Sequence, residues 1–250
     1  MKILVTGSNG FIGKNLVQLL EKKTGINEII KYNRNNSFEE LEEFCMKADV
    51  VFHLAAVLRP ENISGFDDNI DLTSRLLMYL RKANNKSPVM FASSIQADLN
   101  NPYGDCKRTE EEKLIAFGVK NKSNVYIFRF PNLFGAMSRP NYTSVIATFC
   151  YNTVRGIPIV VNDPSVVIKF AFIENVLEDV MSMVMFNKSE YANKILSIEN
   201  YYSVGLGELA YYMGTLKRDV NPLIIRDDDF YSHLKRTYMW YKSNAKLFEK

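Results

Sequence analysis

Apolar residues fall into short unbroken runs through the first half of the chain, with helically spaced apolar positions between them. Ile3, Leu4 and Val5 form the first run; Phe11, Ile12, Leu16, Val17, Leu19 and Leu20 follow at helical spacing. The pattern predicts a buried strand running into an amphipathic helix. It then recurs, with strands expected over 28–32, 49–54, 89–92 and 125–130 and helices over 38–47, 66–82 and 103–117. Between 32 and 49 there is room for one helix but not clearly for another strand. Beyond Pro131 the pattern becomes irregular, and helices are expected over 142–154, 176–185, 206–213 and 228–240.

Strictly alternating strands and helices imply right-handed crossovers and a parallel sheet covered on both faces. The expected class is therefore α/β, a Rossmann-type doubly wound parallel sheet with a small C-terminal substrate-binding lobe. One domain is expected over 1–250, with 1–130 mainly the dinucleotide-binding core and 131–250 mainly the lobe. The lobe would lie over the carboxyl ends of the strands, where open α/β sheets bind ligands.

Two motifs give this frame chemistry. After the first strand comes Gly7-Ser-Asn9-Gly10-Phe11-Ile12-Gly13. Gly7 permits a tight turn, Gly10 lets backbone approach phosphates, and Gly13 lets the helix pack closely on the strand. The free N–H groups at the helix start would face a diphosphate. The alternative is a glycine-rich turn without a ligand, and the strand–turn–helix context favours the dinucleotide. The next strand ends in Asn33-Arg34-Asn35-Asn36, with no acid before Glu39 to take a ribose 2′-hydroxyl. Arg34 is either a solvated loop residue or the partner of a 2′-phosphate, and NADPH is expected over NADH.

The second motif is Tyr103-Gly-Asp-Cys-Lys107, a phenol and an ammonium one helical turn apart. Such an ammonium is expected to lower the phenol pKa towards the working pH. Upstream, Ser93-Ser94-Ile95-Gln96 ends a strand, and Ser94 is placed to hydrogen-bond a substrate carbonyl oxygen. Alone, each piece reads as a surface helix or a turn. In this order behind a dinucleotide motif, Ser94, Tyr103 and Lys107 are the expected catalytic group.

Composition changes this picture little. The 250 residues, 47% of them hydrophobic, suffice for a large core. A net charge of +3 with scattered lysines gives no reason to expect nucleic acid. Cys45, Cys106 and Cys150 are widely spaced and odd in number, so neither a disulfide framework nor a metal site is expected, and a reducing cytoplasm is. The sequence shows no signal peptide or apolar run of membrane length, and no membrane partner is expected.

With Thr6 to Gly13, His53-Leu54-Ala55-Ala56, Ser93-Ser94, Tyr103-x-x-x-Lys107 and Arg129-Phe-Pro-Asn-Leu-Phe-Gly135, the chain resembles the extended short-chain dehydrogenase/reductase family. The resemblance implies that Leu54, Ala55 and Ala56 pass beside the cofactor ribose and that Lys107 binds ribose hydroxyls. It implies that Asn132 contacts a sugar nucleotide near its diphosphate, and that Asn69 and Thr73 are structural. His53 reads as a packed strand-end histidine rather than a chemical group. A helix pair over 66–82 and 103–117 corresponds to the family's dimer interface, although its apolar positions could equally face the sheet.

Longer runs, Asn101-Pro-Tyr-Gly104, Arg139-Pro-Asn-Tyr-Thr-Ser-Val-Ile-Ala-Thr-Phe-Cys-Tyr151 and Val161-Asn-Asp-Pro-Ser-Val166, are similar to capsular polysaccharide reductases of CapF type. That group implies NADPH-dependent reduction of the 4-keto group of a UDP-2-acetamido-2,6-dideoxy-hexos-4-ulose, towards UDP-N-acetyl-L-fucosamine. Ser94, Ile95, Gln96, Asn132 and Arg139 are then the expected substrate contacts. Group members also carry a cupin domain that epimerises C3. No cupin is expected within these 250 residues, so the chain is a stand-alone reductase or a fragment, and a separate C3 epimerase is an expected partner. Cys106 stands where serine is usual, and Ile168 and Lys169 stand where an arginine is often found.

The reaction type follows by subtraction. A dehydratase of this family needs an acidic pair where Ile95 and Gln96 stand, and an amide cannot ionise. A C4 epimerase with retained NAD would want the missing acid after the second strand. A non-catalytic binding protein on the same scaffold would have little use for the Tyr–Lys pair. Reduction with exchangeable NADPH is the expected activity.

Overall fold

The computed structural model describes residues 1–225 and 227–248. In chain order the first elements are β1 (Lys2–Thr6), α1 (Phe11–Leu20), β2 (Glu28–Tyr32), α2 (Phe38–Lys47) and β3 (Val50–His53). Next come α3 (Asp67–Lys82), β4 (Val89–Ser94), α4 (Pro102–Asn121) and β5 (Val125–Phe130). The remainder comprises β6 (Asn132–Phe134), α5 (Val145–Arg155), β7 (Val167–Phe172), α6 (Ile173–Met185), β8 (Lys194–Ser197), β9 (Tyr202–Gly205), α7 (Leu206–Arg218) and α8 (Asp228–Ser243). Two compact units result, one of Met1–Phe130 with Leu177–Ile198 and one of Pro131–Val176 with Glu199–Lys250. The return of 177–198 to the first unit differs from a simple division at residue 130.

The first unit holds a six-stranded sheet in the order β2-β1-β3-β4-β5-β8. Every neighbouring pair in it is parallel. Alternate strand residues face opposite sides of the sheet. Leu4, Ile30, Val51, Val89, Phe91, Val125 and Ile127 join Leu41 and Cys45 of α2, Leu76 and Leu80 of α3 and Leu114 and Phe117 of α4 in one core. Ile3, Val5, Phe52, Met90, Tyr126 and Phe128 point the other way and are equally buried, on the side that α1 must cover if β1–α1–β2 is right-handed. β1 has β2 on one side and β3 on the other, so the winding reverses between β1 and β3. A crevice opens at the carboxyl ends of such strands.

The second unit, where the sequence pattern is irregular and predicts helices alone, also contains a sheet, in the order β6-β7-β9. β6 and β7 run parallel, and β7 and β9 antiparallel. Phe134, Phe170, Phe172, Tyr202 and Phe230 form its aromatic centre, with Ile146 and Phe149 of α5 and Leu209, Tyr212 and Leu234 around them. The three cysteines are buried and unpaired. Burial pushes the thiol of Cys45 up to about 12.

Candidate active site

The glycine motif folds as a close-fitting cradle. Gly7 sits at φ +70°, and a Cβ there would lie 2.7 Å from Ala55 Cα and 2.8 Å from Ala55 N. The loop after β1 and the loop after β3 therefore touch backbone to backbone. At Gly13 a Cβ would meet Gly7 O at 2.3 Å, so the first turn of α1 sits directly on the loop. Gly10 is the N-cap of α1, and no side chain caps that end. The N–H groups of Phe11, Ile12 and Gly13 thus have no intrahelical acceptor, which is the requirement for an anion site. Asn33 braces the loop: its Nδ2 donates to Ser8 Oγ (2.8 Å), and its Oδ1 accepts from Asn9 N (2.9 Å). Arg34 lies exposed in the turn that follows.

The strand-end segment at Leu54 to Val57 is fastened from two sides. Thr6 Oγ1 accepts from the N–H groups of Leu54 and Ala55, both at 3.2 Å. Asn69 clamps Val57, accepting from its N–H (2.6 Å) and donating to its carbonyl (3.0 Å). The structural part expected of Asn69 thus has a concrete form.

Tyr103 and Lys107 stand where α4 begins. Asn101 caps the helix by accepting from Gly104 N at 2.8 Å, and Pro102 occupies its first position. A Cβ on Gly104 would meet Gln96 O at 2.4 Å and Leu99 O at 2.5 Å. That glycine brings the Tyr103 helix against the short 3-10 turn Ile95–Asp98 that follows Ser94. Lys107 is 1% exposed, and its Nζ lies 4.5 Å from the Phe91 ring centroid and 5.8 Å from that of Tyr103. Glu110 Oε2 is 3.0 Å away as an ion pair, yet the ammonium has no acceptor in hydrogen-bonding geometry. Those protons and the uncapped helix start are what a bound dinucleotide's ribose hydroxyls and diphosphate would use, so the residues present fit such a group.

The electrostatics differ from expectation. Burial raises the Tyr103 phenol pKa. Lys107 pulls it down, but Glu110 and Cys106 push it up, and the net direction is upward. The ammonium does act as expected, but it is outweighed. For Lys107 itself burial lowers the pKa, and the Glu110, Tyr103 and Cys106 charges carry it above its ordinary value.

Behind the pair runs a chain of buried polar groups. Thr6, His53, Thr73 and Glu110 are each 0% exposed. Thr73 Oγ1 donates to Glu110 Oε1 at 2.7 Å, because a carboxylate can only accept. Thr73 must then accept from His53 Nε2–H, 2.9 Å away. His53 Nδ1 in turn accepts the hydroxyl proton of Thr6, at 2.7 Å. Every proton in the chain is directed towards Glu110, and the hydrogen-bond pattern fixes the histidine tautomer. Burial and the Lys107 charge hold His53 neutral, its pKa lowered to about 3.

The two serines separate. Ser93 is buried and donates to Glu111, whose carboxylate also takes Arg129 Nε (2.9 Å) and Nη2 (2.6 Å). Arg129 further pairs with Asp98. Ser94 faces the other way, half-buried, and its Oγ accepts from Gln96 N at 3.1 Å. Ile95 and Gln96 are exposed on the 3-10 turn. The first unit thus brings together Gly7, Asn9, Gly10, Phe11, Ile12, Gly13, Leu54, Ala55 and Ala56 around the β1/β3 reversal. Tyr103, Lys107 and the turn after Ser94 come together at the start of α4. Asn132 and Arg139 belong to the second unit. There Asn132 Nδ2 donates to Lys169 O at 3.4 Å, and the Arg139 guanidinium lies 5.3 Å from the Tyr142 ring centroid.

Sequence reasoning missed Glu110, Asn33 and the Glu111–Arg129 pair. The signal for Glu110 was its spacing, i+7 from Tyr103 and i+3 from Lys107, on the same helix face.

Known proteins are similar to this chain over most of its length. A UDP-2-acetamido-2,6-beta-L-arabino-hexul-4-ose reductase from Pseudomonas aeruginosa is 43% identical over 211 residues, 84% of this chain and 56% of that protein. The chain therefore spans little more than half of that relative. The crystal structure of the capsular polysaccharide assembling protein CapF from Staphylococcus aureus is 34% identical with a TM-score of 0.83, covering 96% of this chain and 66% of that one. The resemblance to that group read from the sequence is borne out. The Bordetella bronchiseptica enzyme WbmF in complex with NAD+ shares the fold, at 18% identity and a TM-score of 0.81 over 99% of this chain and 94% of its own. The profile of the NAD dependent epimerase/dehydratase family matches residues 3–198, and the chain belongs to that family.

Proposed function

We propose that the protein reduces the C4 keto group of a UDP-2-acetamido-2,6-dideoxy-hexos-4-ulose with NADPH, in the making of a surface polysaccharide precursor. The observation that carries this is the Tyr103–Lys107 pair, a phenol with a buried ammonium 5.8 Å from its ring centroid on one face of α4. A group that must give a proton to a nascent alkoxide has to hold one first. The name of the 43% identical relative supports the same reaction.

In this reading the bound cofactor supplies the hydride. Ser94 orients the carbonyl oxygen through its hydroxyl, and Tyr103 delivers the proton to that oxygen. Lys107 holds the ribose with the ammonium protons it does not use within the protein. Gln96 cannot act as the acid or base that dehydration requires. Asn132 and Arg139 contact the sugar nucleotide, and Arg34, exposed beside the glycine loop, takes the 2′-phosphate.

The same reading places the enzyme in the cytoplasm as a homodimer, fed by a C3 epimerase activity. Among the described residues no helix is long and apolar enough to cross a membrane. The homodimer would use the groove between α3 and α4, whose lining includes Met78 and Ala116 with Arg81, Lys113 and Lys120.

The test is NADPH oxidation with the UDP-4-keto sugar, beside NADH, Tyr103→Phe and Arg34→Ser. NADPH should be consumed faster than NADH, and Arg34→Ser should narrow that difference. Tyr103→Phe should lose roughly 100- to 10,000-fold in rate. A chain purified with NAD firmly bound and no net oxidation would instead speak for an epimerase. Binding of NADPH without turnover of either C3 epimer would speak for a binding protein.

A further inference from the structure

Tyr103, Lys107 and Glu110 follow one another at i, i+4 and i+7 along α4, a single stripe on one helix face. The reduction outlined above uses the first two. Glu110 has no stated part in it, although it is wholly buried and 3.0 Å from the ammonium. A buried carboxylate is costly unless it is paired and its oxygens are satisfied. Here one oxygen pairs with Lys107. The other receives Thr73, at the end of a chain whose protons all point towards it. Without Glu110, Lys107 would be an uncompensated cation beside a phenol, and a lone ammonium favours phenolate. Phenolate is the wrong form for a proton donor.

We propose that Glu110 is a positioning residue of the keto reduction, pinning the Lys107 ammonium beneath Tyr103 and offsetting its charge so that Tyr103 keeps its proton until the substrate takes it. This rests on the reductase reading. The other charged or titratable groups facing the stripe are few. His53 on β3 is neutral, and Cys106 on α4 carries a thiol that burial raises to about 11. On the flank towards β4 and β5, Glu111 is already held by Arg129, which also pairs with Asp98 of the 3-10 turn. Glu110 is therefore the carboxylate that balances Lys107. The chain behind it ends on the N–H groups of Leu54 and Ala55, so the carboxylate that pairs with Lys107 and the segment expected beside the cofactor ribose belong to one hydrogen-bonded chain.

Glu110→Gln keeps the shape and removes the charge. In the variant, the pH at which reduction falls off on the alkaline side, read from kcat/KM, should drop by roughly 1 pH unit or more. The ultraviolet titration of the Tyr103 phenol, taken as the difference from Tyr103→Phe without substrate, should drop with it. Glu110→Asp keeps the charge on a shorter stem. It should leave both midpoints near their original pH while raising KM for NADPH as Lys107 shifts, and it serves if the glutamine variant does not fold. Unmoved midpoints in Glu110→Gln would overturn the proposal, as would an aspartate variant that shifts them as glutamine does. If the parent protein turns over no keto sugar, the reductase reading falls. The phenol titration then decides the charge role alone, a lower midpoint in Glu110→Gln supporting it and an unchanged one sinking it.

Discussion

A histidine with 0% exposure between two hydroxyls must stay neutral to stay folded, and this gives His53 a signature in stability. Its folded pKa of about 3 lies below the ordinary 6.5, so as pH falls the unfolded chain takes up the proton first. The contribution is therefore complete above about 6.5 and is lost as pH falls towards 3, with a slope of at most about 1.4 kcal/mol per pH unit. Urea unfolding across that range should show the native protein losing stability more steeply than His53→Gln, which keeps one donor and one acceptor but cannot titrate. Parallel curves would rule out the buried neutral histidine. The sequence reading of His53 as a packed strand-end residue agrees with this burial. Glu110 was overlooked for the converse reason: a charge on a helix with acidic neighbours reads as solvated, and only the fold reveals that its face is turned inward.

At the scale of the element, two glycines offer a controlled comparison. Gly7 and Gly25 both adopt positive φ, +70° and +82°, but a Cβ at Gly25 would meet nothing within 4 Å. Gly25→Ala should therefore cost only the backbone penalty, about 1–2 kcal/mol. Gly7→Ala adds a collision with the Ala55 backbone, so it should cost more and should weaken NADPH binding, read by thermal unfolding with and without NADPH. Equal losses would mean that the β1 and β3 loops do not depend on that contact. The strand–helix alternation over residues 1–130 was legible because apolar runs at the strands alternate there with helically spaced apolar positions. The helix boundaries differ by a few residues, and α4 extends to Asn121, where Lys122 in the left-handed region ends it. β6, β7, β8 and β9 were missed because three of them have only three or four residues and none carries a local partner signal. β8 finds its partner β5 more than sixty residues earlier, and such pairing leaves no periodicity to read. The Tyr103–Lys107 pair was legible because its i, i+4 spacing is local. The Ser93–Glu111–Arg129 cluster joins three elements and was not.

For the whole molecule, the economy of the β2-to-β3 crossover decides how the sheet ends. A single helix, α2, joins them, so among the described residues β2 has β1 on one side and no strand on the other. Its outer row of N–H and C=O groups is a template on which another chain could grow. The same five residues that make the strand carry the countermeasure. Glu28 and Lys31 are exposed, Lys31 pairing with Glu21 at 3.4 Å and Glu28 with Lys2 at 3.8 Å. Replacing both by valine would leave a flat apolar edge of Val-Ile-Ile-Val-Tyr type. Light scattering should then show concentration-dependent aggregates that the Glu28→Lys, Lys31→Glu charge swap does not form. A strand whose inner side helps to hold the cofactor crevice is thus also, on its outer side, the sheet's guard against fibre growth.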